Sequence, residues 1–387
     1  MKPFARLALG ATLCAAAASP ALADVHVGLV LSLTGPAASL GIPEKKTLDL
    51  LPKEIAGQKI DYTVLDDRSD PTEAVKDTRQ LIDVDKVALV IGASTTPSSL
   101  AMVDVVGQAA VPNISLASGK SIVFPVQGNR EYVFNSVQTT ALMAHSTAQY
   151  MARHGVHKVA FIGFANALGE DWLQNFGTEA RKLGIDIVDV ERFEPTATSV
   201  TGEVLHVLAA KPQAVLIAAS GTPAALPERE LKKVGYKGQI YQTHGVANPD
   251  FLRVCGADCD GTLLSLSPGV VARQLPATSP IKASAMRYAQ AYEGAYGRHS
   301  LSQFSVGAWD AGVMMEQAIP VALKHASPTD LPAFRKALRD ALEGLHGVAG
   351  AQGVYDMGPS NHNGLDERAV AVAEIRGGEW KLISYGK

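Results

Sequence analysis

The sequence predicts an α/β protein of two lobes in series, each built on a mainly parallel sheet with helices on both faces. Three observations carry that prediction. Short unbroken apolar runs rich in β-branched residues alternate with helix-patterned segments from Val25 onward. The alternation restarts near Gln138. Between Val87 and Gly119 (VALVIGASTTPSSLAMVDVVGQAAVPNISLASG) the chain reads as a complete βαβ unit, with a hydroxyl-rich loop after each strand.

In the first cycle, Val25–Leu31 is a buried strand followed by the turn Ser32-Leu33-Thr34-Gly35-Pro36, and Gly41-Ile42-Pro43 leads into a helix over 44–54. A strand over 59–66 and a helix over 72–83 precede the central unit. There Val87–Ile91 is a strand, Thr96 suits an N-cap with Pro97 at the first helical position, and 111–115 is the next strand. The second cycle predicts helices over 140–154, 170–183, 201–210 and 224–234, with strands over 158–163, 185–193, 214–219 and 239–243. The last third reads as helices over 281–296, 303–325 and 330–344. A β-rich tail follows, with Arg376-Gly377-Gly378 as a hairpin turn. The chain has places to cross between lobes at 265–280 and 344–353.

A chain of 387 residues, 47% of them hydrophobic, is long enough for two cores. Its start must be set aside from them. Lys2 and Arg6 precede the apolar run Leu7–Ala18, and Ala21-Leu22-Ala23 supplies small residues before Asp24, so 1–23 reads as a cleavable secretory signal peptide. Leu13 before Cys14 is too bulky for a lipoprotein cleavage site. Without its first 23 residues the chain has 33 Lys+Arg against 38 Asp+Glu, a formal charge of −5. No basic stripe appears, which argues against a nucleic-acid partner. No later apolar run reaches the roughly twenty residues of a membrane span. Cys255 and Cys259, in VCGADCDG, read as a short-loop structural disulfide for an oxidising compartment rather than a metal site or a CxxC redox motif.

The chain contains none of the catalytic signatures GxSxG, HExxH or GxGxxG. What remains is a binding edge. Ligands of open parallel sheets sit beyond the carboxyl ends of the strands, where Ser94, Thr95, Thr96 and Ser118 offer hydroxyl donors beside a helix N-terminus suited to an anion. His244 follows a strand directly and belongs to the same kind of edge. It reads either as a loop-packing residue or as a donor to a ligand carboxylate, since no spacing supplies the nucleophile and orienting acid of a general base.

Several segments in order carry a family resemblance: GLVLSLTGPAASLG, IGASTTPSSLA with VPNISLAS, ALGEDW, YQTHGVANPDF, FSVGAWDAG and GVYDMG. Together with the exported N-terminus they resemble the periplasmic solute-binding proteins of branched-chain amino acid-type ABC transporters, over nearly the whole chain after residue 23. The resemblance implies a type I periplasmic binding fold of two Rossmann-like lobes joined by a three-strand hinge, divided here as 24–139 plus 270–350 and 140–269 plus 351–387. It implies a periplasmic monomer without cofactor, metal or catalysis, which holds a small-molecule ligand in its cleft, closes by hinge motion and docks to a membrane permease.

Position by position, the resemblance places Thr96 where a hydroxyl holds the ligand carboxylate, with Ser94 and Thr95 beside it. Ala117 and Ser118 fall where backbone and hydroxyl groups meet the polar head, Leu40 and Phe304 on the side-chain pocket, and Thr222 near a contact loop. Two positions depart from amino-acid binders: Leu168 stands where an aromatic residue is frequent, and His244 where a carboxylate meets the ligand's ammonium group. A buried cation without its partner is costly. The expected ligand is therefore an aromatic or branched aliphatic acid, keto and hydroxy acids included. The alternatives are a hydrophobic amino acid, a sensory ligand-binding module, or an exported hydrolase using His244.

Overall fold

The computed structural model describes residues 24–386; the expected signal peptide, 1–23, lies outside the described residues. The first sheet contains β1 (Val25–Leu31), β2 (Glu54–Ile55), β3 (Gln58–Asp66), β4 (Leu89–Gly92), β5 (Asn113–Ser115) and β6 (Val133–Asn135). Their spatial order is β2-β3-β1-β4-β5-β6, parallel throughout except for β2 against β3. The accompanying helices are α1 (Ala38–Thr47), α2 (Pro71–Asp83), α3 (Thr96–Gln108) and the single turn α4 (Lys120–Val123). Because strand order reverses direction at β1 and β4, the loops after these two strands flank a crevice.

The second sheet repeats the plan with β7 (Lys158–Phe164), β8 (Asp186–Phe193), β9 (Ala214–Ala218), β10 (Gln239–Gln242) and β11 (Leu263–Leu266). Between and beside them run α5 (Thr140–Arg153), α6 (Ala167–Lys182), α7 (Thr201–Ala209), α8 (Ala225–Lys233) and α9 (Pro249–Cys255). Its crevice opens between the ends of β7 and β9. The chain then forms α10 (Lys282–Tyr296), α11 (Gln303–Ala322) and α12 (Leu331–Glu343), the small hairpin β12 (Val348–Ala349) with β13 (Val354–Tyr355), and the closing hairpin of β14 (Ala371–Arg376) and β15 (Glu379–Tyr385). β14 adds antiparallel to β11, so the second sheet reads β15-β14-β11-β10-β9-β7-β8. Cys255 and Cys259 are disulfide-bonded where α9 ends.

Packing distributes the last third differently from the sequence division. Ala285, Tyr288, Ala289 and Tyr292 of α10 join the core of the second sheet, although 270–350 was expected with the first lobe. Helix α11 changes sides along its length: Val306 packs in the second core, whereas Ala311 to Ala322 pack with Phe334 and Leu338 of α12 in the first. Tyr355 and Met357 then also pack in the first core, before β14 joins the second sheet. Helix α11 is apolar on both sides of its crossing, so no change of pattern marks it.

Three element starts differ from the sequence reading. α1 begins at Ala38 rather than at residue 44 and keeps Pro43 inside it. Proline removes one helical hydrogen bond, yet the helix runs through it and packs closely on the Ser32 backbone at Gly41. Thr95, not Thr96, is the N-cap of α3: its backbone is extended and its Oγ1 accepts the Ser98 N–H at 3.3 Å. Both threonines have the right side chain, so residue type leaves that register open. α6 begins at Ala167, capped by Asn166, which brings Leu168 and Gly169 into its first turn.

Where the chain passes between sheets, buried polar side chains bond mainly to backbone groups of the neighbouring crossings. Gln138 Nε2 donates to the Ala369 carbonyl at 2.7 Å, and Gln352 Nε2 to the Ser136 carbonyl at 2.7 Å. Asp310 accepts the N–H groups of Ala351 and Gln352 and the Tyr355 hydroxyl. Burial pushes the Asp310 carboxyl up to about 6.

Candidate ligand-binding cleft

The two crevices face each other across a cavity of about 110 Å3. The lobes touch around it. Thr222 N–H donates to Ser39 Oγ at 3.3 Å, and Lys120 N–H donates to Asp171 Oδ2 at 3.0 Å. Ser39 and Lys120 come from the first lobe, Thr222 and Asp171 from the second, so the cleft is closed.

The structure brings Leu40, Ser94, Thr95, Thr96, Ala117 and Ser118 to the wall from the first sheet's side. Leu168 and His244 come from the second, and Phe304 from α11 at the crossing. Thr222 is the exception. Its neighbours Ser220 and Pro223 line the cavity, while Thr222 itself spends its N–H on the lobe contact.

The first lobe's loops are placed by hydrogen bonds within them. Ser94 Oγ accepts the Ser32 N–H at 3.0 Å and bonds to the Glu44 carboxyl of α1. Ala117 has little backbone to offer a ligand: its N–H donates to Ser115 Oγ at 3.2 Å and its carbonyl accepts from Asn135 Nδ2 at 2.9 Å. Thr96, in the first turn of α3, is buried beside the methylene of Gly119, with a hydroxyl on the cavity wall. Ala37, Leu40 and Phe304 pack together as a small apolar cluster at one end.

Opposite them, His244 begins a short 3-10 turn after β10, held by Thr243, whose Oγ1 donates to the Ala219 carbonyl at 2.6 Å. His244 is 5% exposed, its ring lies 5.9 Å from that of Trp172, and its Nδ1 has no hydrogen-bond partner. Burial holds its pKa down at about 4, so the ring is neutral near pH 7. No aspartate, glutamate, lysine or arginine is among the residues that line the cavity. Among the described residues, one group has the donor spacing for a metal, Glu228 with Cys255 and Cys259, and its two sulfurs are joined in the disulfide.

The sequence profile of the family described as periplasmic binding protein matches residues 24–379. The chain belongs to this family. An extracellular ligand-binding receptor from Rhodopseudomonas palustris is 40% identical, with a TM-score of 0.90 over 93% of this chain and 100% of that one. A Leu/Ile/Val-binding protein homolog from Brucella melitensis is 25% identical over 256 residues, 64% of this chain and 68% of its own. At the level of fold alone, a Rhodopseudomonas palustris ABC-transporter solute-binding protein crystallised with benzoate is 20% identical, with a TM-score of 0.81 over 94% of this chain and 96% of that one.

For a periplasmic binding protein the closed two-lobed cleft is the expected ligand chamber, and among the wall residues that sequence reasoning missed are two amides. Asn166 follows β7 at the carboxyl edge and caps α6 through the N–H groups of Leu168 and Gly169. A strand-end asparagine before a helix was a readable signal. Gln303 lines the cavity next to Phe304, with its Oε1 accepting the Ser267 N–H at 2.8 Å and its Nε2 donating to Gln138 at 2.9 Å. Nothing in the local sequence marks a glutamine for that role, because its partners lie far along the chain.

Proposed function

We propose that this periplasmic binding protein captures a small aromatic or branched aliphatic acid and delivers it, as a monomer, to the membrane permease of an ABC importer. One observation carries the ligand class: no charged side chain lines the closed cavity. An amino acid would bring an ammonium group that needs a buried carboxylate, and an unpaired buried charge is expensive. A carboxylate asks only for donors. The hydroxyls of Ser94, Thr96 and Ser118 stand beside the α3 N-terminus, whose dipole favours negative charge. The apolar remainder of the ligand would lie against Leu40, Phe304 and Leu168. The benzoate complex of a protein with the same fold supports the class.

The hydrolase alternative lacks the geometry of an activated base. His244 Nδ1 has no acid to orient it. The test is a thermal-shift screen of the chain from Asp24 with leucine, valine, phenylalanine, their 2-keto acids, benzoate, 4-hydroxybenzoate and phenylacetate. Acids should raise the melting temperature and amino acids should not; stabilisation by leucine or valine would sink the ligand class while leaving the family unaffected. His244→Glu places a carboxylate where amino-acid binders of the family carry one. Acid affinity should then fall by about 2–3 kcal/mol in calorimetry, the scale of a hydrogen bond to a charged group.

A further inference from the structure

We propose that Glu44 sets the direction of the Ser94 hydroxyl and thereby makes acid capture by this cleft a proton-linked event. The inference rests on the reading that the ligand presents a carboxylate to the first lobe.

Ser94 is on the cavity wall, 3% exposed, and its oxygen already has two neighbours: the Ser32 N–H at 3.0 Å and Glu44 Oε2 in a short hydrogen bond. A hydroxyl has one proton and two lone pairs. Ser32 fills one lone pair. With Glu44 ionised, the only hydroxyl proton must point at Glu44, and the cleft faces an oxygen lone pair with a buried negative charge behind it. With Glu44 protonated, its own O–H fills the second lone pair. The Ser94 proton is then free to donate into the cleft, where a carboxylate accepts it as a charge-assisted bond. Only the second arrangement suits an anion.

Burial and the nearby acid favour a proton on Glu44. Glu44 is fully buried, and its Oε1 has no hydrogen-bond partner. Its helix neighbours Lys45 and Lys46 are exposed. From the turn after β3, Asp67 is buried and carries like charge, with Asp66 beside it and Asp77 of α2 behind. The loop after β1 and helix α3 contribute the neutral side chains Ser32 and Ser98, whose hydroxyls face Asp67. Desolvation raises the Glu44 carboxyl well above the usual range, Asp67 pushes it the same way, and the Ser94 hydrogen bond opposes both. Across the cavity, burial holds the His244 ring down at about 4.

The test is calorimetric titration with benzoate and with 4-methyl-2-oxopentanoate, from about pH 5 to about pH 9, in two buffers of unlike protonation enthalpy. Wild type, Glu44→Gln and Ser94→Ala are compared. Wild-type affinity should weaken by up to about tenfold per pH unit as Glu44 loses its proton, with proton uptake on binding in that range. In Glu44→Gln the amide donates to Ser94 as the protonated acid does, so affinity should stay at its low-pH value throughout. Ser94→Ala should bind several-fold more weakly and lose the pH slope. An infrared difference between wild type and Glu44→Gln should show the carboxylic-acid carbonyl stretch when acid is bound. Acids that bind with a flat pH profile and no proton uptake overturn the proposal and leave the ligand class standing. If neither acid binds at any pH, both fall, and leucine binding in the same assay would place the error in the ligand class.

Discussion

Both lobes press a helix against the end of their first central strand through a glycine. In the first lobe a Cβ on Gly41 would lie 2.2 Å from the Ser32 carbonyl oxygen; in the second, one on Gly169 would lie 2.0 Å from that of Phe164. Each lobe also buries a glutamate, and here they part. Glu228 of α8 has both oxygens partnered, by Thr262 and by Gln242 at 2.9 Å, and lies next to the disulfide rather than the cavity. Glu44 has one oxygen unpartnered and the other on a cavity-lining serine. The same backbone device thus supports two different faces. One lobe carries a hydroxyl loop whose donors depend on a buried acid, and the other carries a neutral ring and apolar side chains.

The largest effects should come from breaking what the lobes share. Gly41→Val and Gly169→Val each force a side chain onto a backbone carbonyl that has no flexible end to move. Each should lower the unfolding free energy by about 3 kcal/mol or more in urea denaturation, at the upper end of overpacking costs. A near-neutral result at either position would end the equivalence of the two lobes.

The buried acids should separate them again. Burial raises the Glu228 pKa from 4.5 to about 7. A raised carboxyl stabilises the fold fully below its unfolded value, and that contribution is lost as pH rises from about 4.5 through about 7. Glu228→Gln should therefore remove a fall in stability of up to about 3 kcal/mol across that window. Thermal melts at matched ionic strength measure it. Acid affinity should be untouched, unlike the effect of Glu44→Gln; a changed affinity would tie the two acids together.

The same contrast explains what was legible in the sequence. Strand runs such as Val25–Leu31 and the hydroxyl loop after Ile91 follow from local pattern, and the first lobe's wall, Ser94, Thr95, Thr96 and Ser118, came from that pattern alone. The second lobe's wall needed the family resemblance to propose Leu168 and Thr222, and the structure puts Thr222 on the lobe contact instead. α9 and β11 were not foreseen, since a short helix and a strand ending in Ser265-Leu266 have little periodicity to read. Gln303 and Glu44 owe their roles to partners such as Ser267, Gln138 and Ser94, chosen by topology rather than spacing.

Thr96→Val tests the hydroxyl face directly. It keeps the shape of the side chain and removes its donor, so acid affinity should weaken by about 1–3 kcal/mol, with little change in the melting temperature of the free protein. Unchanged affinity would remove Thr96 from the site and leave the anion to Ser94, Ser118 and the helix end.

The smallest effect concerns the contact between the faces. Ser39 Oγ accepts the Thr222 N–H at 3.3 Å across the mouth of the cleft, a bond between neutral groups that exists only while the lobes are together. Ser39→Ala should therefore cost the closed state about 0.5–1.5 kcal/mol, which reaches the ligand as a few-fold rise in Kd. Neither lobe's own fold depends on this bond, so urea unfolding of the free protein should not move. The loss should also appear mainly as faster ligand release, because the broken contact holds a closed cleft shut rather than guiding entry. If Ser39→Ala lowers stability and leaves release unchanged, Ser39 belongs to the packing of α1, and closure rests on Asp171 and Lys120 instead.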